Sequence, residues 1–251
     1  MKIRVFQIDH DKDSNKLAFM NYDYTQSHGG VKAENYRQIY GGTVTCDSLE
    51  SVFALCNSDK TPPGYLGESM SVSNVIEVCE GKNKGFYFCD SVGFKPIDFD
   101  IDKTDHSDMM KILIVENGKA PYPAEIRHDI HAMQSVVGGC IEPIYFEPRQ
   151  DAIVWCNDEF LLNDSAPNRL VGNCRGQHCG ADLVYGTFYV SGNCQNEYGE
   201  WDSCSLTDKQ IEQYFKAFQH PIIALEKMEM EDIEAVCEDF EESEEPEITM
   251  S

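Results

Sequence analysis

Along most of this chain the apolar residues come in short runs, among them KIRVFQI, NVIEV, GFYFC, KILIV, AIVWC and DLVYG, closed off by glycine, asparagine, aspartate or proline. Runs of that length, rich in β-branched and aromatic residues, read as strands, and the residues that close them read as turns. Many of the links are far too short for the helical crossover that parallel neighbours need, so the sheets are expected to be mainly antiparallel. Few segments have helical spacing. The fold class that follows is α+β: two small α+β domains with mainly antiparallel sheets, and an acidic C-terminal helix and tail.

In the first domain, residues 1–100, Ile3, Val5 and Ile8 open a strand, AENYRQIYGGTVT has strand composition, and Asp47 or Ser48 caps a short helix, SLESVFALCN. Two strands, NVIEVCE and GFYFCDS, follow, joined by the turn GKNKG. Residues 101–110 read as an acidic linker, and the aspartates around them lack the glycine and glutamate of a calcium loop. The second domain, 111–220, reads β-α-β-β-β-α. It opens with KILIVEN and continues into a helix from Ala124 to Val137 with Ile126, Ile130, Met133 and Val137 on one face. Strands IEPIYFE and AIVWC come next, then a polar loop through Asn168 and Arg169 and a single strand DLVYGTFYVSG. Ser205 or Thr207 caps a last helix whose apolar positions are Ile211, Tyr214, Phe215 and Phe218. The glycine pairs at 29–30, 41–42 and 138–139 read as turns.

Of the 251 residues, 44 are acidic and 20 basic, a net charge of −24, yet a hydrophobic fraction of 41% is enough to build packed cores. The charge is uneven: 17 acids and 11 bases in 1–110, 15 and 8 in 111–225, and 12 and 1 in 226–251. Residues 221–251 therefore read as a short amphipathic helix running into a disordered tail. The plainer reading of this terminus is a solubilising one; the sharper reading makes Glu231, Asp232, Glu234, Glu238, Asp239, Glu241 and Glu242 an interaction element for a basic partner surface. So acidic a chain is repelled by free nucleic acid and by anionic membranes. The start MKIRVFQIDHDKD is unlike a signal peptide and no transmembrane run occurs, so the expected location is cytoplasmic and the 11 cysteines are expected as reduced thiols. The oligomeric state leaves no mark on the sequence.

Few residues suggest chemistry. Cys174, His178 and Cys179, with Cys194 and Cys204 further on, have one knuckle-like spacing but no second knuckle, so no cofactor is expected and structural zinc is the alternative to ordinary thiols. Cys140 follows His128 and His131, but it reads as a packed cysteine because nothing around it supplies an oxyanion site. Neither GxxxxGK[ST] nor GxGxxG occurs. No catalytic constellation stands out, and an enzyme is not expected.

Two longer stretches are more specific. Gly64 to Val78, GYLGESMSVSNVIEV, followed by Gly85 to Asp98, GFYFCDSVGFKPID, resembles the YodL domain family, in which a G-x-S-[LM]-S-V-S-[DN]-V segment precedes a strand ending in D-S-x-G-F. The matching residues are Gly67, Ser69, Met70, Ser71, Val72, Ser73, Asn74 and Val75, then Asp90, Ser91, Gly93 and Phe94. Ser71 or Ser73 is read as a cap for backbone donors rather than as an active-site group. The second half is similar to a small domain-of-unknown-function family that accompanies YodL domains, through Gly138, Gly139, Ile141 and Glu142, then Pro167, Asn168 and Arg169, then Gly186 and Thr187, and the closing SLTDKQIEQY. Cys174 and Cys179 depart from that family's pattern.

The resemblance implies accessory domains of mobile elements, found in phages, plasmids and conjugative elements of Firmicutes beside antirestriction proteins. It implies a counter-defence protein that inhibits a CRISPR or restriction system by binding a host defence nuclease or its guide complex, with acidity standing in for nucleic acid. The rival reading is a small-ligand binder that sequesters a nucleotide immune signal, with the Asn168–Arg169 loop and aromatic strands as contacts.

Overall fold

The computed structural model describes residues 1–145, 151–175 and 178–220, with the backbone only at 173–175 and 178–181. The expected helix and tail at 221–251, with all seven acidic residues named above, lie outside the described residues. In chain order the elements are β1 (Lys2–Ile8), α1 (Tyr22–Ser27), β2 (Tyr36–Thr43), α2 (Leu49–Cys56), β3 (Val75–Val78), β4 (Gly85–Cys89), β5 (Phe94–Ile97), β6 (Met109–Val115), β7 (Tyr122–Arg127), α3 (Ile130–Val137), β8 (Ile141–Ile144), β9 (Ala152–Asn157), β10 (Pro167–Arg175), β11 (His178–Tyr185), β12 (Phe188–Gln195), β13 (Trp201–Cys204) and α4 (Asp208–Phe218). Among the described residues no helix is long and apolar enough to cross a membrane.

The strands are antiparallel, as the short links require, and the sheets are α+β in character with four helices. An eleven-stranded sheet runs β5-β4-β3-β1-β2-β7-β6-β12-β9-β8, with β13 continuing beside β12, while β10 and β11 form a separate hairpin. Alternation along the strands divides the core between two faces. One face carries α2 over Ile3, Val5 and Ile39, and α3 over Ile112, Ala124 and Ile126. The other carries Leu17 and Phe99 over Phe6, Tyr36 and Phe88, and α4 with the β10–β11 hairpin over Leu113, Val115 and Val154.

Several local expectations change. The helix read over Ala124–Val137 is a strand followed by a shorter helix: Ala124 and Ile126 are buried with period two, and Asp129 caps α3 by accepting from the His131 and Ala132 N–H groups. DLVYGTFYVSG is not one strand, because it turns at Gly186 between β11 and β12. Asn168 and Arg169 lie buried in β10 rather than in a polar loop. Cys140 is exposed, not packed.

Gly41 and Gly42 are mid-strand, not a turn. A bulge where Val5 faces Tyr40 and Phe6 faces Gln38 turns both Ile39 and Tyr40 towards α2. A Cβ on Gly42 would lie 2.3 Å from the Tyr40 hydroxyl, and one on Gly41 would lie 2.9 Å from the Glu125 carboxylate, so both sites need the missing side chain. The helix caps follow expectation: Ser48 caps α2, and Thr207 forms a capping box with Gln210 on α4, each worth about 1 kcal/mol.

Residues 101–110 contain a 3-10 turn and the start of β6, and they are tied to β2. The Gln38 N–H donates to Asp105 O, the Asp105 N–H donates to Tyr36 O, and Lys12 pairs with the Asp105 carboxylate at 2.9 Å. Both outer strands of the large sheet, β5 (FKPI) and β8 (IEPI), carry a charge and a proline. Proline removes an outward N–H, so each edge is a poor template for another strand.

Candidate functional site

The YodL-like residues form a clasp. Ser73, in the left-handed region at φ 78°, accepts the Phe19 N–H on its hydroxyl at 2.9 Å and the Tyr36 hydroxyl on its carbonyl. Asp90 accepts the Tyr22 and Ser91 N–H groups, and its own N–H closes a turn onto Gly93 O, where φ is +71° and glycine is favoured. Phe94 opens β5 opposite Cys89. Gly67 lies against Ile39 and Gln7, whose side chain bridges Glu68 and Asn74; Asn74 in turn accepts the Ser71 N–H. Ser73 and Asp90 thus hold the segment between β1 and α1 against the sheet by capping its backbone donors, the kind of role expected for the serines. Ser69 is exposed.

A second clasp centres on Arg169, which is 2% exposed. Its guanidinium donates to Phe218 O at 2.8 Å, to Lys119 O at 2.8 Å and to the carbonyl and side-chain oxygens of Asn168, while Asn168 donates to Val115 O and Gly186 O. Among the described residues no carboxylate pairs with it, and burial lowers the pKa of the guanidinium. The cation sits on the carbonyl at the C-terminal end of α4, where the helix dipole is negative. Asn168 and Arg169 are therefore committed inside the protein and cannot serve as the loop contacts of a ligand. Gly138 caps α3, Gly139 packs on Asn157, and Glu142 is exposed on edge strand β8.

Between the two domains the ladder narrows to one rung, Gly41 to Glu125, because Pro123 in β7 has no N–H to continue it. Side chains complete the seam. Arg4 donates to Glu125 at 3.0 Å and to Glu77 at 3.0 Å, and Gln38 donates to Glu125 at 2.7 Å. Burial pushes the Glu125 pKa up, but the bonds from Arg4 and Gln38 outweigh it and hold the carboxyl below its ordinary value. The pKa of Arg4 is correspondingly raised, first by its bond to Glu125. Arg4 and Glu125 line a trough about 240 Å³ in volume together with Lys2, Lys111, Pro123, Asp208 and Ile211, and a further recess adjoins them toward His106 and Ser205. The pattern that marks this site is a charge inside an apolar alternation, Arg4 in KIRVFQI and Glu125 in YPAEIR, which sequence reasoning passed over.

Among the described residues of the second domain, the β12–β13 hairpin presents the most exposed aromatic groups. Tyr198 is 79% and Trp201 59% exposed, flanked by Glu197, Glu200 and Asp202. Asn196 fixes the turn, its side chain accepting the Tyr198 and Glu200 N–H groups at 3.0 Å and its N–H donating to Glu200 O. Tyr145, 42% exposed, lies at the same end of the sheet.

The thiols divide by location. Cys194 and Cys204 lie on neighbouring strands, and burial together with the hydrogen bond between them pushes Cys204 up to about 12. Cys174 faces Cys179 across the β10–β11 ladder, but the side chains of Cys174, His178 and Cys179 are outside the described ones. Among the described residues no three His, Cys, Asp or Glu side chains converge on a metal site. His128 pairs with Asp202 at 3.6 Å rather than sharing a helix face with His131.

Residues 2–99 match the YodL-like domain. Residues 110–219 match a second family, a domain of unknown function (DUF3846). The two matches support a two-domain chain, and the seam between β2 and β7 is where the strands of the two matched segments meet. No curated protein and no solved structure matches the chain.

Proposed function

We propose that this protein is a non-enzymatic counter-defence factor of a mobile element, inhibiting a host CRISPR or restriction system by binding the nuclease or its guide complex. The observation that carries this reading is the β12–β13 hairpin. Hydrogen bonds to Asn196 preorganise a turn whose aromatic side chains are left in water and bordered by carboxylates. Tyr and Trp are the residue types that anchor interfaces, and rigid presentation reduces the entropy lost on binding. Surrounding acids complement a surface of Lys and Arg, the kind that binds nucleic acid. The resemblance to accessory domains that stand beside antirestriction proteins supplies the setting.

Inhibition of the purified nuclease measured against added NaCl tests the acidic component. Competition for cationic nucleic-acid contacts predicts potency that falls steeply with salt, and salt-independent inhibition would remove mimicry.

The small-ligand reading keeps one specific support, the trough at the seam, since Asn168 and Arg169 are unavailable to it. Nucleotide released on denaturing the purified protein would favour that reading over the first.

A further inference from the structure

Arg37 is anomalous in a chain so rich in carboxylates. It lies in β2 opposite Gln7, with a half-buried side chain, and among the described residues its guanidinium makes no hydrogen bond and no ion pair. Its Nε is wholly buried and unpartnered. An orphaned buried donor costs about 1–3 kcal/mol, more when charged, and the terminal N–H groups of the same guanidinium, which are not buried, are also unpaired among the described residues. Two carboxylates in its surroundings are engaged elsewhere: Asp105, bridged to Arg37 through the backbone, pairs with Lys12, and Glu68, which also lines the recess, faces His10 at 3.4 Å.

The recess beside Arg37 is lined by Ser69, Ser71, Ser73, Asn74, His10 and Phe19. Its lining is rich in unused donors. The Ser69 and Ser71 hydroxyls make no hydrogen bond among the described residues, and the Ser73 hydroxyl accepts from Phe19 and keeps its own proton to give. Asn74 uses only its oxygen, for Gln7 and Ser71, which leaves its amide N–H groups free. Phe19 and Ser73, joined by a hydrogen bond here, are two of the non-glycine residues with positive φ, and strained backbone of this kind concentrates at binding sites. The accessible space is about 10 Å³, about that of one oxygen atom.

The geometry points to a phosphate-binding site in the YodL-like domain, with phosphate oxygens held by the accessible terminal N–H groups of Arg37, by the serine hydroxyls and by the Asn74 amide. Donors from two separate segments, β2 and residues 69–74, suit the spread of three terminal oxygens better than a planar carboxylate. This site is independent of the hairpin and of the trough.

The test is calorimetric titration of the full chain with inorganic phosphate, and separately with acetate. Saturable phosphate binding is expected, weakened at least about tenfold in Arg37→Gln and measurably in Ser71→Ala, with acetate much weaker. Ser71→Ala guards against a folding defect in the arginine variant, and both variants should melt as the parent does without phosphate. Absence of saturable binding, as when the recess holds only water, would overturn the proposal. So would unchanged affinity in Arg37→Gln, or acetate binding as well as phosphate.

Discussion

At the residue scale the second domain depends on a buried cation that has no counter-ion among the described residues. Arg169 joins β10, the segment after β6 and the end of α4 through carbonyl acceptors alone. Arg169→Leu would take one donor away from each of those carbonyls, at about 1–3 kcal/mol for a group that water cannot reach. Urea unfolding of the variant should show a loss of about 3 kcal/mol or more, with α4 amides exchanging first; a loss below about 1 kcal/mol would show that water replaces the guanidinium. Glu125 governs acid sensitivity in a similar way. Its folded pKa is below the ordinary 4.5, so the folded state binds fewer protons than the unfolded one. The stability it contributes is present above pH 4.5 and drains away as pH falls through the lower, folded value. Glu125→Gln should therefore be less stable at pH 7, by about 1–2 kcal/mol, and lose less on acidification than the parent, as read from urea midpoints at pH 7 and pH 4. Equal pH slopes would remove Glu125 from the seam's energetics.

At the element scale the two edge strands set how the sheet ends. Replacing Pro96 and Pro143 by valine restores an outward N–H on β5 and on β8 and removes the main block to strand addition. Light scattering should then show mass rising with concentration where the parent's does not; identical behaviour would mean that Lys95 and Glu142 suffice. Elements were legible where local pattern and tertiary demand agree. The antiparallel sheet, the Ser48 cap and the Thr207 cap were open to inspection because turns and caps are local chemistry. β7 is hidden in the sequence because Ile126, Ile130, Met133 and Val137 fit a helical stripe, and only the cap at Asp129 divides it. β10 was misread because Asn168 and Arg169 look like loop residues, and only the fold supplies the carbonyls that let them be buried. Gly41 and Gly42 resembled a turn because the Tyr40 ring and the Glu125 carboxylate that exclude a Cβ come from tertiary contacts. The clasp serines were visible as a motif, whereas the orphaned Arg37 beside them was not, since pairing is a property of the folded surroundings.

At the scale of the whole molecule, two domains share one sheet, joined at a rung and a side-chain network rather than by a flexible connection. Residues 101–110 reinforce this join through Asp105, whose carboxyl is lowered to about 2, chiefly by its bond from Lys12. The hairpin proposed to meet the partner lies in the second domain, well inside residues 1–220, whereas 12 of the 44 acids lie in 226–251. Hairpin and tail therefore make separable contributions. The most direct measurement is the efficiency of plasmid establishment in a host with active CRISPR or restriction interference, comparing the full chain, Tyr198→Ala with Trp201→Ala, and a chain ending at residue 220. The full chain and the shortened chain should both restore establishment, and the double variant should lose most of that effect while remaining folded. Loss on shortening with no loss in the double variant would place the activity in the acidic terminus and contradict the role given to the hairpin.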